Sequence, residues 1–274
     1  MSGGEAGGAA AMASAARWDG RLYAENTAHH RTNDANILAD LRPPADGTVL
    51  DVGCGVGDLT ERLTELVPQG RVLGVDADPS MVEQAAHRAR PGLAFAVAPV
   101  QDLGAVADDA SVDLVVSTAC LHWVPAADQP VAVAELARVL RPGGTLRVDM
   151  GGAGQIAATR ELLDAVSESL GGPASPWFFP TPEEYGELLA RAGFDVGTAR
   201  VRLLRQRRPV PDESAVLGWL RSQVLIAYTA RMDADVATAF TAEVERRAVE
   251  ELRREDGSYD QDYVRLDVLA TRSG

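Results

Sequence analysis

The chain of 274 residues contains no lysine, so its 26 basic residues are all arginines. A P-loop nucleotide site is therefore excluded, because that motif needs a lysine to reach the phosphates. Cysteine is almost as scarce. Cys54 and Cys120 share no motif spacing, and we interpret both as reduced thiols of a cytoplasmic protein. No apolar run has the roughly 18 residues of a membrane helix, and the N-terminus does not read as a secretory signal.

Acidic residues outnumber basic ones by 40 to 26, which gives a formal net charge of −14. An acidic surface argues against a nucleic acid partner, since duplex binding needs a basic footprint. The basic cluster "RVRLLRQRR" alternates arginines with Val201 and Leu203, which favours an amphipathic strand over an anion site. Histidines and cysteines lack metal-ligand spacing, so no protein-bound metal is predicted, although a diphosphate-bearing substrate could bring one.

Apolar strands alternate with amphipathic helices along most of the chain. The predicted strands cover residues 49–52, 71–78, 93–100, 112–119, 145–150, 200–208 and 263–272. This alternation predicts an α/β fold, with a doubly wound, mostly parallel, seven-stranded sheet covered by helices on both faces. We expect Ser80 to cap the helix after the second strand, and Pro142 to end the helix before the fifth.

The domain organisation follows from changes in composition. Residues 1–16, rich in alanine and glycine, are predicted to be a disordered tail, and residues 17–274 a single domain. Within that domain we expect an N-terminal helical lid over residues 17–42 and a core over residues 43–150. A lid insertion is expected over residues 151–180, and a helical insertion over residues 211–256.

A glycine-rich turn, "TVLDVGCGVGDLT", joins the first strand to the next helix. Gly53, Gly55 and Gly57 allow a ligand to approach the backbone closely. A dinucleotide site has the pattern G-x-G-x-x-G, but its third glycine position falls on Asp58 or Thr60, which are too large for that packing. The turn is therefore a ligand cradle of another kind.

Two carboxylates near this turn indicate which ligand it holds. Asp51 precedes the first glycine by two residues, where it suits a cationic group such as an amino acid ammonium. Asp76 ends the second strand, near the offset at which an acidic residue receives ribose hydroxyls. A nucleoside that carries an amino acid tail satisfies both, and S-adenosylmethionine is such a molecule.

Four segments resemble the class I S-adenosylmethionine-dependent methyltransferases: "VLDVGCGVGDLT", "VLGVDADPSMVEQA", "VDLVVSTACLHWV" and "VLRPGGTLRVDM". Within that family, "STACLHWV", "WFFPTPEEYGELLARAGFDV" and the C-terminal "DGSYDQDYVRLDVLATR" are most similar to trans-aconitate methyltransferases. Insect juvenile hormone acid methyltransferases are similar around "CLHWV". Both groups methylate carboxylates of small molecules, so the resemblance implies a small-molecule acceptor with a carboxylate oxygen.

The resemblance also implies a set of cofactor-binding residues. Gly53, Gly55, Gly57 and Asp51 would surround the amino acid portion, and Asp76 would accept the ribose hydroxyls. The remaining cofactor contacts would be Ala77, Met81, Val100, Ser117 and the N-terminal Arg31. Pro99 stands where the family usually has an acidic residue, so Gln101 or Asp102 would hold the adenine amino group.

Residues for the acceptor follow the fourth strand and lie in the predicted lids. His122 is interpreted either as a base or orienting donor, with Trp123 as a pocket wall, or as a structural residue. Other candidates are Tyr23, His29 and His30 in the N-terminal lid, Glu168 as a proton acceptor, and Trp177, Phe178 and Phe179 as an apolar wall. Each of these could instead be an exposed or packing residue, as could Trp219 and Tyr228.

Alternatives to carboxylate methylation remain open at this point. A secondary-metabolite O-, N- or C-methyltransferase fits an aromatic lid equally well. A domain that binds S-adenosylmethionine without transferring methyl would keep the same glycine turn, because a fold does not determine a function. A nicotinamide oxidoreductase is a third possibility. The oligomeric state is not predicted.

Overall fold

The computed structural model describes residues 37–274. The expectations for the N-terminal tail, Tyr23, His29, His30 and Arg31 lie outside the described residues. In the part described, no helix is both long and apolar enough to cross a bilayer.

Seven strands form a single sheet within residues 37–274, in the order β3-β2-β1-β4-β5-β7-β6. Their bounds are β1 Thr48–Val52, β2 Arg71–Asp76, β3 Leu93–Val97, β4 Val112–Thr118, β5 Leu140–Gly151, β6 Arg200–Val210 and β7 Tyr259–Thr271. Strands β1 to β5 run parallel, and β7 is antiparallel to both of its neighbours. The doubly wound, mostly parallel, seven-stranded sheet is confirmed.

Helices cover both faces of the sheet and its carboxyl end. They are α1 Asp58–Leu63, α2 Pro79–Ala85, α3 Gln129–Val139, α4 Ala157–Ser169, α5 Pro182–Arg191, α6 Glu213–Trp219, α7 Ile226–Thr229 and α8 Ala234–Glu251. A π-helical turn, Leu220–Val224, lies between α6 and α7, and a 3₁₀ turn, Leu121–Trp123, follows β4.

Alternate residues of β1 explain the two-sided core, because successive side chains of a strand point to opposite faces. Leu50 packs with Leu136 of α3 and other buried residues on one face. Val49 packs with Leu63 of α1 on the opposite face. A strand that is apolar on both faces is typical of a buried parallel sheet.

A separate apolar cluster lies above the sheet. It joins Leu163 of α4, Leu220, Tyr228 and Phe240 to Trp177 in the loop before α5. We call α4, the loop over residues 170–181, and residues 213–251 the lid. Since the lid has its own core, its walls keep a defined shape over the carboxyl ends of the strands.

Several predicted boundaries were wrong. The cap of α2 is Asp78, whose carboxylate accepts the N–H of Ser80 at 2.8 Å while Pro79 takes the first helical position. Helix α3 ends at Val139, three residues before Pro142, because Leu140 already has extended backbone and is the first residue of β5. Strand β7 begins at residue 259 rather than 263.

Candidate active site

A cavity of about 290 Å³ lies between the carboxyl ends of β1, β2 and β4 and the lid. The order of the strands reverses between β1 and β4, and ligands of doubly wound sheets bind at such switch points. The sheet side of the cavity is formed by residues that follow the strands. The lid side carries the aromatic residues and an arginine from the α7–α8 connection.

The glycine turn forms one wall of the cavity. Gly53, Gly55 and Gly57 all have positive φ angles, of 75°, 53° and 87°. A Cβ on Gly53 would come within 2.3 Å of the Cβ and Sγ atoms of Cys120, whereas a Cβ on Gly55 would meet open space. Gly53 and Gly55 line the cavity. Gly57 caps α1 against Phe95 instead, so its role is to shape the turn.

Asp76 is held by two backbone amides on the sheet side. Gly55 N–H donates to Oδ2 and Asp78 N–H donates to Oδ1, both at 2.9 Å. Burial raises the pKa of this carboxyl above its ordinary value of 3.8, and these two hydrogen bonds only partly oppose that shift. A half-buried carboxylate acceptor beside a glycine with open space fits the ribose of a nucleoside.

Two predicted cofactor ligands are buried away from the cavity lining. Asp51 accepts a hydrogen bond from Thr60 Oγ1 at 2.6 Å, which ties β1 to α1. Ser117 donates to the carbonyl of Val52 at 2.8 Å, which ties β4 to β1. Both are under 2% exposed, so the structure shows them supporting the turn.

The predicted adenine contacts separate into two groups. Ala77, Met81, Val100 and Gln101 line the cavity together. Asp102 is exposed and lies outside the lining, with its own N–H donated to the carbonyl of Pro99. Of the two residues predicted to hold the adenine amino group, the structure therefore favours Gln101.

His122 lines the cavity as the middle residue of the 3₁₀ turn after β4. Its Nδ1 accepts the N–H of Gly151, the last residue of β5, at 3.3 Å. Since a backbone N–H can only donate, a neutral imidazole in this arrangement carries its proton on Nε2. Its ring also contacts Trp123 and Phe179, with centroids 5.8 Å and 5.6 Å away.

Aromatic side chains form the lid side of the cavity. Trp123 meets Trp177 edge to face at 5.6 Å, and Trp177 stacks on Phe179 at 5.7 Å. Phe178 alternates to the other side, where it packs against the sheet core and is absent from the cavity lining. Glu168 is exposed on α4 and also lies outside the lining.

Several cavity residues were missed by sequence reasoning. The most important are Arg231 after α7 and Arg265 of β7, together with Gln155, Gln223 and Tyr263. The sequence left open whether Trp219 and Tyr228 are site residues or packing residues. Trp219 lines the cavity, whereas the Tyr228 side chain lies in the lid core and its hydroxyl donates to Asp164 at 2.8 Å. No local pattern marks Arg231. Arg265 had a weak signal, a charged residue within the mostly apolar strand "YVRLDVLA".

The two arginines differ in their surroundings. Arg265 is ion-paired with Asp149, whose Oδ1 accepts its Nε at 2.7 Å, and both side chains are under 10% exposed. Arg231 donates to two backbone carbonyls, Ala227 at 3.1 Å and Ala174. No carboxylate of residues 37–274 makes an ion pair with Arg231, and burial lowers the pKa of its guanidinium.

No cluster of three or more potential metal ligands occurs among the described residues. The cavity residues instead fit a nucleoside cofactor, because a half-buried carboxylate, a glycine with open space and an apolar wall suited to adenine meet at one place.

Comparisons with known proteins agree with this geometry. Residues 49–144 match a family described as "Methyltransferase domain". The chain is 33% identical over 220 residues to a trans-aconitate 2-methyltransferase of Deinococcus radiodurans. The aligned region covers 76% of this chain and 80% of that one. The YcgJ protein of Bacillus subtilis has a TM-score of 0.63 at 17% identity, over 89% of this chain and 100% of that one.

A further solved structure has a bound cofactor product. It is a geranyl diphosphate C-methyltransferase from Streptomyces coelicolor, in complex with Mg²⁺, geranyl diphosphate and S-adenosyl-L-homocysteine. Its TM-score is 0.54 at 18% identity, with 92% of this chain and 82% of that chain covered.

The chain belongs to the class I S-adenosylmethionine-dependent methyltransferases. Its resemblance to the trans-aconitate 2-methyltransferase group is confirmed by that relative and by a second one, from Methylobacterium nodulans, at 28% identity over 94% of this chain and 99% of that one. S-adenosylmethionine is the cofactor, and the chain is a methyltransferase rather than a nicotinamide oxidoreductase or a binding module.

Proposed function

We propose that the enzyme transfers a methyl group to a carboxylate oxygen of a small-molecule acid. The observation that carries this proposal is Arg231, a cation on the cavity wall whose hydrogen bonds within residues 37–274 go to two backbone carbonyls and to no carboxylate. A half-buried guanidinium that lines the cavity and makes no ion pair with a described carboxylate favours an anionic ligand, since planar carboxylates match its donors. The curated relatives named trans-aconitate 2-methyltransferases support the same chemistry.

The tautomer of His122 also supports a carboxylate acceptor. A hydroxyl, amine or carbon acceptor often requires a base, whereas an ionised carboxylate does not. Because Nδ1 already accepts from Gly151, Nε2 carries the proton of a neutral ring and can donate but not accept. His122 is therefore suited to orient a carboxylate and poorly suited to deprotonate an alcohol.

The apolar lid suits a reaction in which charge disappears. When bound, S-adenosylmethionine supplies an electrophilic methyl group on a sulfonium. One carboxylate oxygen forms a bond to the methyl carbon as the sulfur–carbon bond breaks and its electron pair goes to sulfur, and no proton moves. Trp123, Trp177 and Phe179 would exclude water and hold the acceptor in line, and such positioning can reach effective molarities of roughly 10⁵ M or more.

The test is the chemical nature of the product. The enzyme is incubated with methyl-labelled S-adenosylmethionine and a set of carboxylic acids, alcohols and amines of matched carbon skeletons. We expect label in methyl esters, which are released as methanol by mild base, with one S-adenosylhomocysteine formed per ester. Label found only in base-stable ethers, amines or C-methyl products would contradict the proposal and favour the secondary-metabolite alternative.

The variant Arg231→Gln tests whether the Arg231 guanidinium binds the acceptor. We expect ester formation to fall strongly in this variant, because the guanidinium is lost from the cavity wall. Arg191→Gln serves as the control, since Arg191 is 74% exposed on α5 and pairs only with Glu187 on its own helix. Equal losses in both variants would indicate a general effect on the protein.

A further inference from the structure

The charges on the cavity wall set a limit on the acceptor's charge. Four charged residues of the described chain line the cavity. Asp76 and Asp78 lie on the sheet side, where the cofactor ribose is expected, and Arg265 is neutralised by Asp149. Arg231 is thus the lining cation of residues 37–274 that makes no ion pair with a described carboxylate. Asp164 interacts with it electrostatically, but this carboxylate already accepts hydrogen bonds from Ser175 and Tyr228. One acceptor carboxylate pairs with Arg231 and faces the cofactor's sulfonium, whereas each additional carboxylate would enter a largely apolar cavity with no further counter-charge among the described lining residues, which is unfavourable.

A second requirement, for a flat apolar body in the acceptor, comes from the aromatic wall. Trp123, Trp177 and Phe179 form a continuous series of contacting rings, and Trp219 adds a fourth ring from α6. Flat π-systems pack well against such rings in offset-stacked or edge-to-face arrangements. A small molecule with several carboxylates would place charge against these faces and leave little apolar surface to bury.

The arginine and the aromatic wall are fixed with respect to each other. Arg231 is bonded to the carbonyl of Ala174, in the same loop that carries Trp177. Asp164 of α4 accepts both the N–H of Ser175, at 2.9 Å, and the hydroxyl of Tyr228, at 2.8 Å. The Tyr228 ring in turn packs edge to face on Trp177 at 5.9 Å. This network holds the anion-binding group at a set distance from the rings, which favours a ligand of matching length.

We propose that the acceptor is a monocarboxylic acid with a flat aromatic or conjugated body. One carboxylate oxygen pairs with Arg231, the other attacks the methyl carbon, and the body packs on the aromatic wall. This inference rests on the proposed function and narrows it, and it departs from the tricarboxylic acid in the names of the curated relatives. The product ester is neutral, so its attraction to Arg231 falls once methyl transfer is complete.

The experiment compares kcat/KM for four acids with the full-length enzyme and saturating S-adenosylmethionine, by mass spectrometry of the ester. The acids are cinnamic acid, a saturated straight-chain acid of equal carbon number, a benzene dicarboxylic acid and trans-aconitic acid. We expect cinnamic acid to exceed trans-aconitic acid by about 10-fold or more, since an unpaired buried charge is costly. Trp219→Leu should reduce the preference for cinnamic acid over the saturated acid.

Arg231→Gln should lower kcat/KM for cinnamic acid by about 10- to 100-fold, the range for a hydrogen bond to a charged group. Calorimetric titration should show S-adenosylhomocysteine binding within about twofold of wild type, in Arg231→Gln as in Arg191→Gln. A large loss of this binding would assign Arg231 to the cofactor and overturn the inference. Thermal unfolding identifies any variant that fails to fold, and Arg231→Lys, which keeps the charge, should then recover part of the activity.

The outcomes separate this inference from the proposed function. A preference for trans-aconitic or the dicarboxylic acid, with esters formed, overturns the monocarboxylic inference and leaves carboxylate methylation standing. In the labelled-product test described above, methylation of an alcohol or an amine with no acid esterified overturns both. Esterification of the flat monocarboxylic acid with the Arg231 dependence above supports both.

Discussion

Replacing Asp76 by asparagine tests how the sheet side holds the cofactor. The carboxylate has one oxygen on Gly55 N–H and the other on Asp78 N–H, both at 2.9 Å. An asparagine amide has only one oxygen, so its NH₂ group must face one of these two donors. It also loses the charge that favours hydrogen bonds from ribose hydroxyls, each contributing about 1.5–3 kcal/mol.

We therefore expect Asp76→Asn to weaken S-adenosylhomocysteine binding by at least about 3 kcal/mol, or roughly 100-fold. The assay is calorimetric titration near neutral pH. Asp102→Asn is the matched control, because Asp102 is exposed and outside the cavity, and its affinity should match that of wild type. Equal affinity for wild type and Asp76→Asn would refute the assignment of Asp76 to the ribose.

The same carboxyl predicts a pH dependence. Burial raises the pKa of Asp76, and only the ionised form accepts hydrogen bonds through both oxygens. Affinity for S-adenosylhomocysteine should thus be full above this raised pKa and fall as the pH decreases through it, with proton release on binding near that pH. Titrations in buffers of different ionisation enthalpy measure the released proton. An affinity that rises on acidification would contradict this sign.

Three further predictions concern stability and reactivity. Gly53→Ala should lower the free energy of unfolding, measured in urea, by about 2 kcal/mol or more, because the φ angle of Gly53 is left-handed and the new Cβ would meet Cys120. Adding Cys120→Gly should recover part of the loss. Full stability of the Gly53→Ala variant would contradict the geometry. Asp149→Asn should cost about 3–5 kcal/mol by the same assay, since it removes the carboxylate that pairs with the buried charge of Arg265. Arg265→Met in the same chain should restore part of that loss, and an unchanged midpoint would show that the pair is not buried. Burial raises the pKa of the Cys54 and Cys120 thiols, so iodoacetamide should label the folded protein slowly at neutral pH and the unfolded protein quickly, and fast labelling of the folded protein would be the contrary result.

The sheet and the cofactor side were predictable because their signals are local. A strand, a glycine turn and a helix follow one another within "VLDVGCGVGDLT", and Asp76 ends the next strand. Short continuous segments of the sequence therefore suffice to predict the cofactor. Even there, sequence alone did not separate a residue that lines the cavity, such as Gly55, from one that supports the turn, such as Asp51.

The acceptor side was not predictable because distant segments build it. Arg231 comes from the helical insertion and His122 from the turn after β4, and their proximity depends on how the lid packs on the sheet. The π-helical turn between α6 and α7 shows the same limit. Trp219 immediately precedes this turn and Gln223 lies within it, both residues line the cavity, and no sequence pattern predicted the irregular turn.

The central claim is that the cavity positions a carboxylate for attack and does not deprotonate the acceptor. The most direct measurement is kcat as a function of pH, at saturating S-adenosylmethionine and carboxylic acid, for wild type and His122→Gln. An ionised carboxylate needs no base, so kcat should stay constant within about twofold from about pH 6.5 to 9, and His122→Gln should lose less than about 10-fold. A tenfold rise in kcat per pH unit that disappears in His122→Gln, with a loss of about 10²-fold or more, would show general-base catalysis and contradict the account.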